Sequence, residues 1–323
     1  MIKSYIFVES LARVEGLKDE KEDKNKNYMK SKLTGLGVAL VTPFTDNGEI
    51  DFAALNRVVD NVIEGGVDYL VVMGTTGETP TLSMPERVAL LRAVKERNAG
   101  RLPIVVGVGG NDTARVVELI NQTNLDGVDA ILSVTPFYNK PSQRGLFEHY
   151  KYIAERSPRP IILYTVPGRT GVNMEAETTL RIARECPNVI ATKEASGNIE
   201  QIKAIIDAAP EDFMVISGDD SLALPIIKAG GYGVISVAAN AFPRYFSRMI
   251  DDRFEGKYDE TEAMFERIRP TVKMLFAEGN PPGVKAAMAV KGLLRNNLRL
   301  PLVPVSEELY GSIEATIKAE GFE

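Results

Sequence analysis

The chain carries almost none of the side chains on which most enzyme chemistries depend. Its 323 residues include one cysteine (Cys186), one histidine (His149) and no tryptophan. A single cysteine excludes an intramolecular disulfide and fits a reducing cytosol. A single histidine in the helical pattern 144–155 reads as a surface or packing residue, and no His/Cys/Asp/Glu cluster stands at ligand spacing, so no metal site is expected. No run approaches the ~18 apolar residues of a membrane span. Positive charge is in deficit: 38 Lys and Arg against 44 Asp and Glu, a net charge of −6 and a pI of 5.2. There is therefore no electrostatic case for nucleic acid or an anionic membrane.

What is present is enough apolar content, 44%, to bury a large core. The length suggests two domains, or one α/β barrel of roughly 250 residues. Residues 1–28 stand apart. After the short apolar patch Tyr5-Ile-Phe-Val8 comes the mixed-charge run Lys18–Asn27. The segment lacks the longer apolar stretch and cleavage site of a secretory signal and reads as a disordered or frayed extension. Met29 is then a plausible start, because the patterned sequence begins at Leu36.

From Leu36 onward, short β-branched runs alternate with longer amphipathic ones. The expected strands are Gly37–Val41, Tyr69–Met73, Ile104–Val108, Ala130–Val134, Ile161–Tyr164, Val189–Thr192, Met214–Ser217 and Gly233–Ser236. Helical patterns include Phe52–Glu64, Pro85–Asn98, Thr113–Asn124 and Glu175–Glu185. Strands that read as continuous apolar runs, each followed by a helix, argue for a parallel sheet. Eight such units in about 220 residues argue for a closed (β/α)8 barrel over residues 29–255, with an open doubly wound sheet as the alternative. Residues 256–323 carry no strand signal and read as a C-terminal appendage of three helices, Asp259–Glu278, Pro282–Asn296 and Ser306–Glu320.

The chemically unusual residues nearly all follow candidate strands, and a barrel gathers such positions at one mouth. Lys193 ends the apolar run Val189-Ile-Ala-Thr; burial disfavours its ammonium form and frees an amine that can attack a ketone. The bland alternative is a strand-end lysine paired with Glu194 or reaching solvent. Gly74-Thr-Thr-Gly-Glu78 offers backbone N–H groups and the hydroxyls of Thr75 and Thr76 to a small anion, or is an ordinary βα turn; it lacks the Gly-Lys-Ser/Thr of a phosphate loop. Tyr138 lies in the Pro-rich Thr135–Pro141 loop, where packing is the commoner role of a tyrosine. Tyr164 ends a strand, and Arg169 sits in a Gly-rich loop without a helix, suited to grip a carboxylate bidentately. Gly107-Val-Gly-Gly110 has the wrong spacing for a dinucleotide fingerprint.

In order, Val41-Thr-Pro-Phe44, Gly74–Glu78, Thr135–Asn139, Tyr164–Gly171, Lys193-Glu-Ala-Ser-Gly197, Ser217-Gly-Asp-Asp220 and Gly233-Val-Ile-Ser236 resemble the pyruvate-dependent class I aldolases, most closely the 4-hydroxy-tetrahydrodipicolinate (dihydrodipicolinate) synthase family. The likeness spans roughly Leu33–Phe322. It implies a cytoplasmic lyase without cofactor that condenses pyruvate with L-aspartate 4-semialdehyde in lysine and diaminopimelate biosynthesis. Lys193 would form the imine. Tyr164 would shuttle protons, linked through Thr75 to Tyr138, which in the family reaches in from a neighbouring subunit. A dimer would be the minimal active unit and a homotetramer the usual one. Thr76 with Thr75 would hold the pyruvate carboxylate, Arg169 the semialdehyde carboxylate, and Gly218 and Ile235 would line the pyruvate pocket. Sialic-acid-type lyases, by contrast, carry an apolar residue where Arg169 stands and a different tripeptide after the lysine.

Two departures from the family pattern matter. Thr165 replaces a common asparagine, a tolerable change. At the interface pocket where lysine inhibits many members, this chain has Pro80, Met84, Arg87, Asn111, Arg115 and Phe137. Arg115 would repel the inhibitor's ammonium, so weak or absent lysine feedback is expected. The rival readings are another pyruvate-dependent aldolase or dehydratase acting on a sugar-derived 2-keto acid, and a silent barrel that only binds 2-keto acids. Joint presence of Lys193, Tyr164, Tyr138 and Thr75 argues against the silent barrel.

Overall fold

A computed structural model of the chain describes residues 29–322; the expected disordered extension 1–28 lies outside the described residues. Eight parallel strands close in sequence order into a barrel: β1 (Gly35–Ala39), β2 (Tyr69–Val72), β3 (Ile104–Gly107), β4 (Ala130–Val134), β5 (Ile161–Thr165), β6 (Val189–Glu194), β7 (Met214–Ser217) and β8 (Gly233–Ser236). Helices fill the crossovers, which makes the fold a (β/α)8 barrel. The open-sheet alternative is overturned by the pairing of β1 with β8, Gly35 opposite Gly233 through Val38 opposite Ser236.

Two strands depart from expectation by two residues, the others by one at most. β1 begins and ends two residues early, because its ladder to β8 starts at Gly35. β6 runs on through Lys193 and Glu194: Tyr164 and Thr165 on one side and Ile216 and Ser217 on the other continue the ladder past the apolar run. The β5–β6 register slips between Ile161 and Ile162, the kind of irregularity that re-aims side chains beside a site.

Side-chain caps open several helices, and each satisfies N–H groups that the first turn leaves unpaired. Asp51 caps Phe52–Glu64, Asp112 caps Thr113–Gln122, Ser142 caps Gln143–Ala154 and Asn198 caps Ile199–Ala208. Ser83 and Glu86 form a reciprocal capping box on Met84–Asn98. After the barrel helix Pro243–Phe254 come Tyr258–Ala277, Pro282–Val290 and Glu307–Glu320. The middle one of these three stops at Val290 and not at Asn296, because Gly292 takes a φ of 73° just beyond it, a common helix terminator.

The core has two parts. A large cluster fills the space between the strands' outer faces and the helices. A smaller one fills the barrel interior with Tyr69, Val71, Val105, Leu132, Ile162, Met214, Ile216 and Ile235. Met29 and Leu33 join this interior cluster; they precede β1 and so stop the amino end of the barrel. The carboxyl end, where the strands deliver their last residues, is left for the site.

Candidate active site

Lys193 is a buried polar group at that end. It is 5% exposed and paired across the sheet with Tyr164 and Ile216. Neighbouring strand residues point to opposite faces, and Lys193 and Glu194 obey this. Lys193 places its Nζ 4.4 Å from the centre of the Tyr164 ring. Glu194 faces the helix layer, where Ser196 (2.5 Å) and Gln201 (3.1 Å) donate to its carboxylate. The two are not an ion pair. Burial pulls the Lys193 amine down to about 8; the negative charge of Asp220 opposes this and the positive charge of Arg169 reinforces it. A Cβ added at Gly218 would stand 3.0 Å from Lys193 Cε and 2.8 Å from Ala195 Cβ. The Gly218 N–H donates to the Glu194 carbonyl at 2.7 Å, so what Gly218 contributes beside the lysine is space. Ile235 is buried in β8 in the interior cluster.

The loop after β2 holds two 3-10 turns, Thr75–Gly77 and Thr79–Thr81, and the first faces the site. Its first internal bond runs from Gly77 N–H to the Gly74 carbonyl, so the turn does not consume the N–H groups of Thr75 and Thr76. Thr42 and Thr79 pin it by donating to the carbonyls of Gly77 (2.7 Å) and Gly74 (2.9 Å). Met73 and Glu78, on either side, hold φ of 59° and 52°, left-handed values that side chains resist and that collect at functional sites. Glu78 is held there by a buried ion pair with Lys285 of the helix Pro282–Val290. Its second oxygen accepts from the Arg299 N–H at 3.0 Å, and Arg299 in turn pairs with Glu86.

Thr75, Tyr164, Arg169, Thr170 and Asn280 share the wall of a cavity of about 700 Å³, which extends outward past Met84, Val88 and Leu302. Lys193 lies behind that wall, joined to it through the Tyr164 ring. Burial raises the Tyr164 phenol, while the Arg169 charge and a hydrogen bond with Thr75 act to lower it. Arg169 does not sit on a helix-free loop as expected: Pro167–Thr170 forms one helical turn, with the Arg169 N–H donating to the Val166 carbonyl at 2.9 Å. Its guanidinium reaches the Asn280 carbonyl at 3.3 Å. Thr76 is buried, and the Asn280 carboxamide donates to its hydroxyl at 3.0 Å.

Tyr138 is not brought to this cavity. It is 90% exposed with a φ of 69°, projecting away from its own barrel. His149 is buried, bonded to Thr113 at 2.8 Å, and its burial lowers it to about 4, so its role is packing. Arg115 is exposed and paired with Glu118 at 2.6 Å. Three polar residues of the site region were given no role by the sequence. Asp220 is buried, raised to about 6 by burial, and its Oδ2 accepts from Val237 and Ala238 N–H. Asn280 comes from the link between the helices Tyr258–Ala277 and Pro282–Val290, and Lys285 from the second of them. Lys285 did leave a signal, a lone charge in the otherwise apolar Gly283-Val-Lys-Ala-Ala-Met288.

An amine poised near neutrality behind a phenol and beside a guanidinium, at the carboxyl end of a (β/α)8 barrel, defines a lyase of the Schiff-base class. The chain belongs to the dihydrodipicolinate synthetase family, whose model matches residues 32–320. It is 51% identical over 279 residues to the 4-hydroxy-tetrahydrodipicolinate synthase of Porphyromonas gingivalis, covering 86% of this chain and 94% of that protein. The enzyme of the same name from Parabacteroides distasonis is 52% identical over 286 residues, covering 88% and 96%. The crystal structure of dihydrodipicolinate synthase from Thermotoga maritima superposes with a TM-score of 0.88 at 42% identity, covering 90% of this chain and all of that one. Among the described residues, no helix is long and apolar enough to cross a membrane.

Proposed function

We propose that the chain condenses pyruvate with L-aspartate 4-semialdehyde to 4-hydroxy-tetrahydrodipicolinate in the cytoplasm, through an imine on Lys193. The observation that carries the reading is the buried Lys193 amine, about 8, against the Tyr164 ring with Arg169 close enough to influence it. The neutral amine adds to the pyruvate ketone and water leaves, forming the imine. Loss of a methyl proton gives the enamine, for which the protonated imine nitrogen is the electron sink. The enamine carbon attacks the aldehyde; the substrate's own amino group then adds to the imine carbon and expels the lysine amine.

Thr75 and Thr76 hold the pyruvate carboxylate, and Gly218 and Ile235 bound its pocket. Tyr164 moves protons with Thr75, and Tyr138 joins this relay from a neighbouring subunit, for which its exposure suits it. A dimer is then the minimal active unit, and a dimer of dimers is the proposed assembly. Arg169 grips the carboxylate of the second substrate. A sugar acceptor such as N-acetylmannosamine carries no such carboxylate, which disfavours the sialic-acid-lyase reading.

The test is pyruvate consumption with the semialdehyde and, in parallel, with N-acetylmannosamine. Turnover with the semialdehyde alone is expected; turnover with the sugar alone overturns the assignment of acceptor. Arg169→Ala should impair use of the semialdehyde far more than imine formation, and equal loss in both steps would refute its role.

A further inference from the structure

The Thr76 hydroxyl has one proton, and two groups could compete for it. If it donates to Asn280, it has nothing left for a carboxylate. The structure places the Asn280 Nδ2 3.0 Å from Thr76 Oγ1 as the donor, in a buried contact. Thr76 is then the acceptor, and its proton is free to point at an anion. The other end of the same carboxamide is telling. Asn280 is 8% exposed and its Oδ1, though buried, has no hydrogen-bond partner among the described residues. Buried carboxamides are ordinarily satisfied at both ends, so this one is kept in place for its donor. Meanwhile the Asn280 backbone carbonyl accepts from Arg169 at 3.3 Å. One residue of the C-terminal helical segment thus touches both carboxylate anchors, by its side chain in one case and its backbone in the other.

We infer that Asn280 is a positioning residue that orients the Thr76 hydroxyl as a donor toward the pyruvate carboxylate, while its backbone steadies Arg169. This rests on the assignment of Thr76 to the pyruvate carboxylate. The two contacts are separable by mutation, because any substitution keeps the carbonyl. Asn280→Ala removes the directing donor and should raise the pyruvate KM roughly tenfold, the range of one buried hydrogen bond. Asn280→Asp keeps the shape but replaces the donor by an acceptor. It claims the Thr76 proton and sets a negative charge beside the carboxylate, so it should be worse than alanine, about a hundredfold in pyruvate KM. The semialdehyde KM should stay within about twofold in both, and in a Thr76→Val background Asn280→Ala should add no more than about twofold.

A space-filling role makes the opposite prediction, since the isosteric aspartate would rescue what alanine loses. The experiment is steady-state kinetics for both substrates on folded variants, checked by thermal melting, together with reductive trapping of pyruvate read by mass spectrometry. An order of wild type, alanine, aspartate in rising pyruvate KM supports the inference. Aspartate equal to wild type, or semialdehyde KM rising in parallel with that of pyruvate, overturns it. Should the alanine variant fail to fold, the aspartate variant decides alone by the same criterion. Absence of a trapped pyruvate adduct in the wild type would instead bring down the functional reading, and this inference with it.

Discussion

The pH dependence of imine formation is the sharpest consequence of the way Lys193 is housed. With the amine at about 8, about a quarter is neutral at pH 7.5, against about one part in a thousand for an ordinary lysine, a gain of roughly 200-fold in nucleophile. Burial is the largest contribution, and Asp220 works against it. Asp220→Asn removes that opposing charge with little disturbance, since the Val237 and Ala238 N–H groups both bond to one oxygen, Oδ2, which a carboxamide can supply. A charge lost at short range in a protein is worth on the order of one pKa unit, about 1.4 kcal/mol. The acid limb of imine formation should therefore move down by about one unit, and the trapping rate at pH 6.5 should rise roughly eightfold. Arg169→Ala has the opposite sign: a positive charge that depresses the amine is gone, so the limb moves up. Asp220 itself titrates at about 6, so wild type and Asp220→Asn should converge below that pH. The assay is the initial rate of pyruvate trapping with cyanoborohydride between about pH 5.5 and 9. An upward shift in Asp220→Asn, or coincident profiles for all three proteins, would refute the electrostatic account.

The Glu78–Lys285 pair has no exposed side-chain surface, so breaking one partner leaves a buried charge uncompensated. Glu78→Gln or Lys285→Met should each lose about 3–5 kcal/mol in denaturant unfolding, with the double variant recovering much of it; additive losses would count against the pairing. If Tyr138 acts in trans, mixing inactive Tyr138→Phe and Lys193→Ala subunits under exchange should regenerate activity, and its absence despite proven exchange would place the tyrosine elsewhere. L-lysine should inhibit weakly or not at all: by the family resemblance, Arg115 stands where inhibited members offer the ammonium a carboxylate; half-maximal inhibition below a millimolar would reverse that expectation.

The barrel was legible in the sequence because its parallel strands are short apolar runs and its helices carry their own caps, both local signals. Lys193 was legible for the same reason: a charge at the end of Val189-Ile-Ala-Thr is conspicuous. The end of β6 was not, since hydrogen bonds to Tyr164, Thr165, Ile216 and Ser217 carry the strand past its apolar run. Nor was the turn at Pro167–Thr170, where Pro and Gly read as loop. Asn280 and Asp220 were illegible in role. Asn280 meets Thr76 across 204 positions of chain, and a lone asparagine after a glycine announces nothing about what it will face. Tyr138 stood out only through the resemblance, because its work, as proposed, is done on another copy.

The plug of Met29 and Leu33 has a kinetic meaning. With the barrel's amino end stopped and its interior filled by Tyr69, Leu132, Met214 and their neighbours, every molecule that reaches Lys193 must leave by the door through which it came. Pyruvate enters first and surrenders water outward; the aldehyde then follows through the same opening, above a carbon nucleophile already tethered below. Such a cul-de-sac gives both substrates and the departing water one shared opening, and the water must clear it before the aldehyde can take its place above the enamine.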